Sequence, residues 1–203
     1  MNVNAKENES VNTNTNLTAN KSALLVMDVQ KGIVARVQDD DYLPRLGRAI
    51  DAARGAGIPV VYVVVGFRPG RPEASARNKV FGALPPGAFT EDDPNVALHP
   101  DVTPREGEVV VTKRRVSAFT GSDLEVVLRA QGITHLVLTG IATSGVVLST
   151  LRQAADLDYR LTVLSDACYD PDPEVHRVLT EKVFRGQAEV ETVEEWVKTA
   201  AAG

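Results

Sequence analysis

Short runs of consecutive apolar residues recur along the chain, and they constrain its fold more than any other feature. Such runs, without alternation of apolar and polar positions, are typical of strands that are buried on both faces of a parallel sheet. Segments with helical spacing separate them, and this order predicts right-handed crossovers and an α/β fold, a three-layer α/β/α sandwich with a mostly parallel six-stranded sheet. Strands are predicted at residues 22–28, 58–65, 108–112, 135–139, 160–164 and 188–190, and helices at 43–56, 122–130, 143–157, 173–183 and from Thr192 onward.

The length of 203 residues fits one domain, which we place at residues 21–203. Residues 1–20 are rich in Asn, Thr, Lys and Glu, which predicts a disordered tail, with an arm that packs on a partner subunit as the alternative. A net charge of −5 argues against nucleic-acid binding, and no apolar run approaches the ~20 residues of a membrane span. Cys168 is the only cysteine, which excludes an intrachain disulfide and favours a cytoplasmic protein.

Two features between the strands carry further expectations. Ser122, with Glu125 three positions later, predicts a capping box, and Thr143 or Ser144 is expected to cap the helix after the fourth strand. Residues 66–107 lack periodicity and hold seven of the eleven prolines. A loop of this length in a compact domain is usually functional or disordered, so we expect a lid or an oligomer contact.

Ligands of open parallel sheets bind beyond the carboxyl ends of the strands, and this rule selects the candidate site residues. Asp28 follows the first strand, where its carboxylate either passes a proton or caps a loop. Lys113 follows the third strand and either belongs to a solvated basic turn or keeps Asp28 ionised and steadies a developing anion. Residues 140–146 follow the fourth strand, and their backbone N–H groups either bind an anion or are simply capped.

Three segments at these strand ends resemble motifs of the isochorismatase-like hydrolase superfamily, which includes cysteine amidohydrolases. They are residues 24–30 (LLVMDVQ), 113–124 (KRRVSAFTGSDL) and 139–143 (TGIAT), and the resemblance extends over residues 22–196. It implies a Rossmann-like fold, a small-molecule substrate, no cofactor, and a homo-oligomer (dimer or tetramer), with Asp28 and Lys113 as the catalytic residues. It also implies a non-proline cis peptide and a substrate or oxyanion site that includes Gln30, Phe119, Ile141, Ala142, Thr143, Gly145 and Val146.

The chain departs from this superfamily at the nucleophile. The catalytic cysteine falls on Val146, or on Gly145 if the alignment slips by one position, and neither residue can attack a carbonyl carbon. The resemblance to isochorismatases proper, which also lack the cysteine, implies hydrolysis of a small acidic metabolite, with Asp28 and Lys113 in general acid–base catalysis and no covalent thioester. Two alternatives stay open: a catalytically inactive binding or scaffold relative, and a cysteine-dependent amidohydrolase that uses Cys168. Free cysteines are usually buried, which favours a structural role for Cys168.

The remaining polar candidates give weaker signals. The three histidines are scattered without the spacing of a metal site, and we predict no bound metal; they are His99, His135 and His176. His135 begins the fourth strand and is therefore expected at the opposite end from the site. Four cations of the long loop either bind a carboxylate substrate or are solvated; they are Arg68, Arg71, Arg77 and Lys79, of which Arg77 is taken as a substrate-site candidate.

The strand order usual in the superfamily, 3-2-1-4-5-6, conflicts with this site at first sight. It places the third strand two positions from the first, about 9.6 Å away at the usual strand spacing. Lys113 must then reach across the second strand to meet Asp28. We give the predicted site precedence over the predicted order.

Overall fold

The computed structural model describes residues 21–200, and these contain a six-stranded sheet with the order β3-β2-β1-β4-β5-β6. Every pair of neighbouring strands is parallel, so the predicted α/β architecture is confirmed. The disordered tail predicted at residues 1–20 lies outside the described residues. The strands are β1 (Ser22–Met27), β2 (Val60–Val65), β3 (Val109–Lys113), β4 (His135–Ile141), β5 (Arg160–Tyr169) and β6 (Glu189–Glu191).

Helices cover both faces of the sheet; they are α1 (Lys31–Val34), α2 (Tyr42–Gly55), α3 (Leu124–Ala130), α4 (Leu148–Asp156), α5 (Pro173–Val178) and α6 (Val193–Ala200). Two hydrophobic cores result, because successive side chains of a strand point to opposite faces. Leu25 and Met27 of β1 belong to the core that includes α3 and α4, whereas Leu24 and Val26 belong to the core that includes α2 and α6. Within residues 21–200, no helix has the length and apolar character that crossing a membrane requires.

The helix starts differ in part from the prediction. Only half of the capping box predicted at Ser122 and Glu125 forms: the Ser122 hydroxyl accepts the N–H of Leu124, the first residue of α3, at 3.3 Å, whereas the Glu125 carboxylate lies 3.6 Å from the Arg129 guanidinium one turn later. The predicted cap at Thr192 is confirmed. Its hydroxyl accepts the Glu195 N–H at 3.2 Å, while the Glu195 carboxylate accepts the Thr192 N–H at 2.8 Å, so the two residues cap α6 reciprocally.

Residues 66–107 are irregular, as predicted, but they are anchored to the body of the domain. Two single-turn 3₁₀ helices, Pro94–Val96 and Pro100–Val102, interrupt the loop. Phe67 and Phe81 pack edge to face with ring centroids 5.4 Å apart, and together with Val65 they form a small hydrophobic cluster of their own. The role of this loop as a lid or an oligomer contact stays a prediction.

Candidate active site

Asp28 lies at the carboxyl end of the central strand β1 in a strained backbone conformation. Its φ of 58° is in the left-handed region, which aspartate and asparagine adopt more readily than other residues with a side chain. Its N–H donates to the carbonyl of Val63 at 2.8 Å, which holds the residue against β2. The residue is only 6% exposed, so its carboxylate is largely removed from water.

Gly140 allows β4 to approach β1 closely beside Asp28. It is aligned with Met27 and has a φ of 135°, a conformation that residues with side chains rarely adopt. A Cβ atom at this position would lie 2.2 Å from the Met27 carbonyl oxygen, closer than any real contact. The glycine is therefore required by the geometry of the sheet next to the site.

Lys113 reaches Asp28 across the end of β2. It is aligned with Val65 of β2, and its four-carbon side chain brings Nζ to 3.0 Å from Asp28 Oδ2. The same ammonium donates to the carbonyl of Arg115 at 2.9 Å. The lysine side chain is 2% exposed, so the ion pair is buried. The strand order usual in the superfamily and the predicted pair of Asp28 and Lys113 are thus both present. The expected conflict does not arise, because the lysine side chain is long enough to pass the end of β2.

The environment of Asp28 suits a proton donor. Burial raises the pKa of Asp28 from 3.8 to about 6, although the charge and the hydrogen bond of Lys113 act to lower it. Oδ1 is buried and has no hydrogen-bond partner among residues 21–200. A carboxyl group with this pKa is partly protonated near neutral pH, and Lys113 stabilises the carboxylate that remains after the proton leaves.

The turn after β4 is held from outside by residues that follow β5. Thr143 Oγ1 and His176 Nδ1 share a hydrogen bond of 2.8 Å, and the Ser144 N–H donates to a carboxylate oxygen of Asp170 at 2.7 Å. The predicted capping by Thr143 or Ser144 is wrong, because no side chain caps the helical turn at residues 143–147 and the Thr143 hydroxyl is bonded to His176 instead. Sequence reasoning missed Asp170 and His176 as site residues, although Asp170 directly follows β5, at the same sheet edge as Asp28.

The positions expected for the family cysteine carry no polar side chain. The non-proline cis peptide implied by the resemblance is present between Ile141 and Ala142. Val146 is 2% exposed and packs in the hydrophobic core between the sheet and α4. Gly145 lies beside Ala142, whose Cβ would be 3.8 Å from a Cβ added to the glycine.

The side chains of two further site candidates make hydrogen bonds or packing contacts within the protein. The Gln30 amide donates to the carbonyls of Val65 at 3.0 Å and Val96 at 2.6 Å, and its oxygen accepts the Val65 N–H at 2.9 Å. Gln30 therefore joins the end of β2 to the long loop. The ring of Phe119 packs in the core with its centroid 6.1 Å from that of Tyr159. For both residues, contact with substrate stays a prediction.

The arginine side chains of the long loop differ in the contacts that they make. Arg68 pairs with the Glu73 carboxylate, and Arg71 donates to the carbonyl of Leu84 at 2.9 Å. Both therefore help to shape the loop. Arg77 is exposed, and its backbone N–H donates to the Ser75 hydroxyl at 3.2 Å.

Cys168 lies within β5 rather than beyond it, and it is 5% exposed. Its sulfur is 3.8 Å from the carbonyl oxygen of Leu138. Burial raises the pKa of the thiol well above its ordinary value, and Asp166 raises it further. Since the thiolate is the nucleophilic form of cysteine, this environment opposes a role in covalent catalysis.

The histidines do not form a metal centre in the part of the chain that the structure describes. Within residues 21–200, no group of three His, Cys, Asp or Glu residues is placed to hold a metal ion. His135 lies at the amino end of β4, opposite the site as predicted, where it shares hydrogen bonds with the hydroxyls of Ser22 and Thr162. His99 Nδ1 accepts the Asp101 N–H at the start of a 3₁₀ turn.

The strand order and the buried carboxyl–ammonium pair define a class of α/β proteins whose site lies beyond the carboxyl ends of parallel strands. The chain belongs to the isochorismatase family, since the isochorismatase domain matches residues 22–195. The named enzymes among its relatives are hydrolases and amidohydrolases, so the chain is an isochorismatase-family hydrolase.

Three similar proteins illustrate this relationship. Ureidoacrylate amidohydrolase RutB of Methylobacterium radiotolerans is 34% identical over 204 residues, which cover 88% of this chain and 76% of RutB. An isochorismatase family protein from Burkholderia thailandensis superposes with a TM-score of 0.80 at 33% identity, covering 92% and 98% of the two chains. N-carbamoylsarcosine amidase from Thermoplasma acidophilum superposes with a TM-score of 0.70 at 27% identity, covering 86% and 97%.

Proposed function

We propose that this hydrolase cleaves a small, acidic metabolite by general acid–base catalysis, with Asp28 as the acid, Lys113 as its charge partner and no covalent intermediate. The observation that carries the proposal is the state of Asp28. Its carboxyl group is buried, has a pKa of about 6, and holds Lys113 on one oxygen while the other oxygen has no partner within residues 21–200. In this proposal the contact with substrate falls to Oδ1, the oxygen that Lys113 does not hold.

The chemistry that fits this pair is hydrolysis of a vinyl ether. Protonated Asp28 gives its proton to the terminal alkene carbon, and the alkene π electrons form the new C–H bond. Water adds to the resulting oxocarbenium carbon and returns a proton to the Asp28 carboxylate, which Lys113 stabilises. The hemiketal then collapses to a carbonyl compound and an alcohol, so no bond to the protein forms at any step.

The surroundings of the pair support a mechanism without a thioester. Val146, at the position where the resemblance puts the cysteine, is a buried aliphatic residue. The one cysteine of the chain, Cys168, has a thiol whose pKa is raised by burial. An amidase mechanism needs an activated nucleophile, and neither residue supplies one.

Two features support the proposed class of substrate. Lys113, Arg114 and Arg115 form a basic run at the end of β3, and the first of them contacts the proposed acid. Arg77 is exposed in the loop between β2 and β3, where its guanidinium can bind a substrate carboxylate in bidentate geometry. Arg77→Ala is expected to raise KM for an acidic substrate and to leave kcat close to that of the wild type.

We also propose that the chain is cytoplasmic and forms a homo-oligomer, a dimer or a tetramer. The single, buried cysteine suits a reducing compartment, and the family resemblance supports assembly. Sedimentation equilibrium at micromolar concentration tests the assembly, and a monomer throughout the concentration range contradicts it.

The experiment is a comparison of the wild type with Asp28→Asn on isochorismate, ureidoacrylate and N-carbamoylsarcosine. We expect saturable turnover of isochorismate and a loss of roughly 10²–10⁴-fold in the variant, the usual contribution of a general acid. Because Asp28 acts in its protonated form, kcat/KM is expected to fall about tenfold per pH unit above pH 6. Cys168→Ala is the control and is expected to retain turnover.

Three outcomes contradict the proposal in different ways. Wild-type turnover in Asp28→Asn removes Asp28 from the mechanism. Turnover that disappears in Cys168→Ala favours a cysteine-dependent amidohydrolase. No turnover of any of the three compounds by folded wild-type protein favours a catalytically inactive binding or scaffold relative.

A further inference from the structure

The hydrogen bond between Thr143 and His176 has no part in the acid–base pair described above. Thr143 follows the Ile141–Ala142 peptide directly, and its side chain is fully buried at the start of the turn that leads into α4. His176 lies on α5 and contacts this turn through Nδ1, at 2.8 Å from the Thr143 hydroxyl oxygen. A buried hydroxyl held by an imidazole has one orientation rather than three.

Asp170 adds a second contact to the same turn from the same connection. Its carboxylate is 6% exposed and accepts the Ser144 N–H at 2.7 Å. It also accepts the Asp172 N–H at 3.2 Å, which ties the turn to the residues that lead into α5. Thr143 and Ser144, at the beginning of the turn, are therefore each hydrogen-bonded to a side chain that follows β5 in the chain.

His176 contributes to the lining of two adjoining cavities of about 530 and 320 Å³ beyond the carboxyl end of β5. Burial lowers the pKa of His176, an effect that the nearby Asp170 opposes. The charged groups around it in these cavities are Asp39, Arg45, Asp166, Asp170, Arg177, Glu181, Arg185, Glu191 and Glu195.

We propose that His176 is a positioning residue for the candidate active site: as a neutral imidazole it accepts a hydrogen bond from the Thr143 hydroxyl at Nδ1 and, together with Asp170, fixes the turn between β4 and α4. The catalytic part of this inference rests on the proposed function. In this tautomer the neutral ring carries its proton on Nε2, the nitrogen that does not contact Thr143. The Thr143 hydroxyl hydrogen then points to His176, so the lone pairs of Oγ1 are directed to the rest of the turn.

Nitrogen NMR of the histidine rings tests the contact without any substrate. The chain has three histidines, so ¹⁵N-histidine labelling gives few signals, and variants of His99 and His135 assign them. At pH 7 we expect His176 to show an unprotonated Nδ1 and a protonated Nε2. Thr143→Val is expected to shift the Nδ1 resonance, whereas Thr143→Ser, which keeps the hydroxyl, is expected to preserve it.

Kinetics on isochorismate tests the role of the contact. Thr143→Val and His176→Phe are each expected to lower kcat about tenfold at unchanged KM, the effect of one lost hydrogen bond. The double variant is expected to lose no more than either single variant, because both changes remove the same interaction. His176→Asn places an amide group at the Nδ1 position and is expected to restore most of kcat.

Four results overturn the inference. A protonated Nδ1, or His176 resonances that do not change in Thr143→Val, refutes the contact. Wild-type kcat in His176→Phe, in a protein where Asp28→Asn has lost turnover, refutes the positioning role and leaves the proposed function standing. A melting temperature that falls in proportion to kcat assigns the contact to stability alone. Absence of turnover by the wild type refutes the proposed function and the catalytic role of His176 together, and the NMR result then still decides the contact.

Discussion

Replacing Asp28 with asparagine is expected to change how the stability of the fold depends on pH. Burial raises the pKa of Asp28 to about 6, above its ordinary value of 3.8, so the folded state holds the proton more tightly than the unfolded chain does. The stability that this group contributes is therefore complete below about pH 4 and is lost as the pH rises through about 6. Asparagine does not titrate, so the variant lacks this loss.

The size of the effect follows from the two pKa values. The interval from 3.8 to about 6, at about 1.36 kcal/mol per pH unit, gives about 3 kcal/mol in the free energy of unfolding. Replacing the neutral carboxyl group by an amide also changes the stability by an amount that does not depend on pH, and this displaces the whole curve of the variant. The predicted quantity is the difference in pH dependence, which this displacement does not affect.

Urea unfolding followed by far-UV circular dichroism measures the difference at several values between pH 4 and pH 8. The free energy of unfolding of the wild type, relative to Asp28→Asn, is expected to fall by about 3 kcal/mol over this range. A repeat at high salt is the control, because screening by ions is weak for a buried group. If the free energies of unfolding of the two proteins change with pH in parallel, the argument that burial destabilises the ionised form of Asp28 is refuted.

Three further predictions concern the stability and packing of the fold. Arg54→Ala is expected to cost roughly 2 kcal/mol of stability by urea unfolding, because it removes two charge-assisted hydrogen bonds of 2.8 Å to a largely buried Glu108. Gln30→Leu is expected to cost roughly 2–3 kcal/mol in the same assay, since it leaves the N–H and carbonyl of Val65 without their partner. Native Cys168 is expected to resist a thiol-specific disulfide reagent and to react once the chain is unfolded in urea.

Each of these predictions has an outcome that contradicts it. If Arg54→Ala has the stability of the wild type, the ion pair between Arg54 and Glu108 contributes no more to the free energy of unfolding than its desolvation costs. If Gln30→Leu unfolds at the wild-type urea concentration, the long loop does not depend on the Gln30 amide. If Cys168 reacts immediately in the folded protein, its thiol is accessible, and Cys168 is again a candidate for the catalytic nucleophile.

Local signals were sufficient for the sheet and for the two catalytic candidates. Continuous apolar runs require burial on both faces, and burial on both faces requires a parallel sheet between helical layers. Once that sheet is assumed, Asp28 and Lys113 are recognisable because each directly follows a strand and therefore lies at the carboxyl edge. The caps were less predictable, since the side chains of Glu125 and Thr143 each had a competing partner that sequence distance alone does not rank.

The amino-acid sequence by itself determined that Asp28 and Lys113 reach the carboxyl edge of the sheet, because the apolar runs before them are local signals. Only the tertiary structure decided which of those residues meet. The Lys113 side chain extends past the end of β2 to the Asp28 carboxylate. His176 is hydrogen-bonded to Thr143 from a helix that begins 30 residues later in the chain, at Pro173. Such contacts depend on the order of strands and on side-chain reach over several ångströms. The pKa of Asp28 likewise depends on burial by residues far apart in the chain, which no local pattern records.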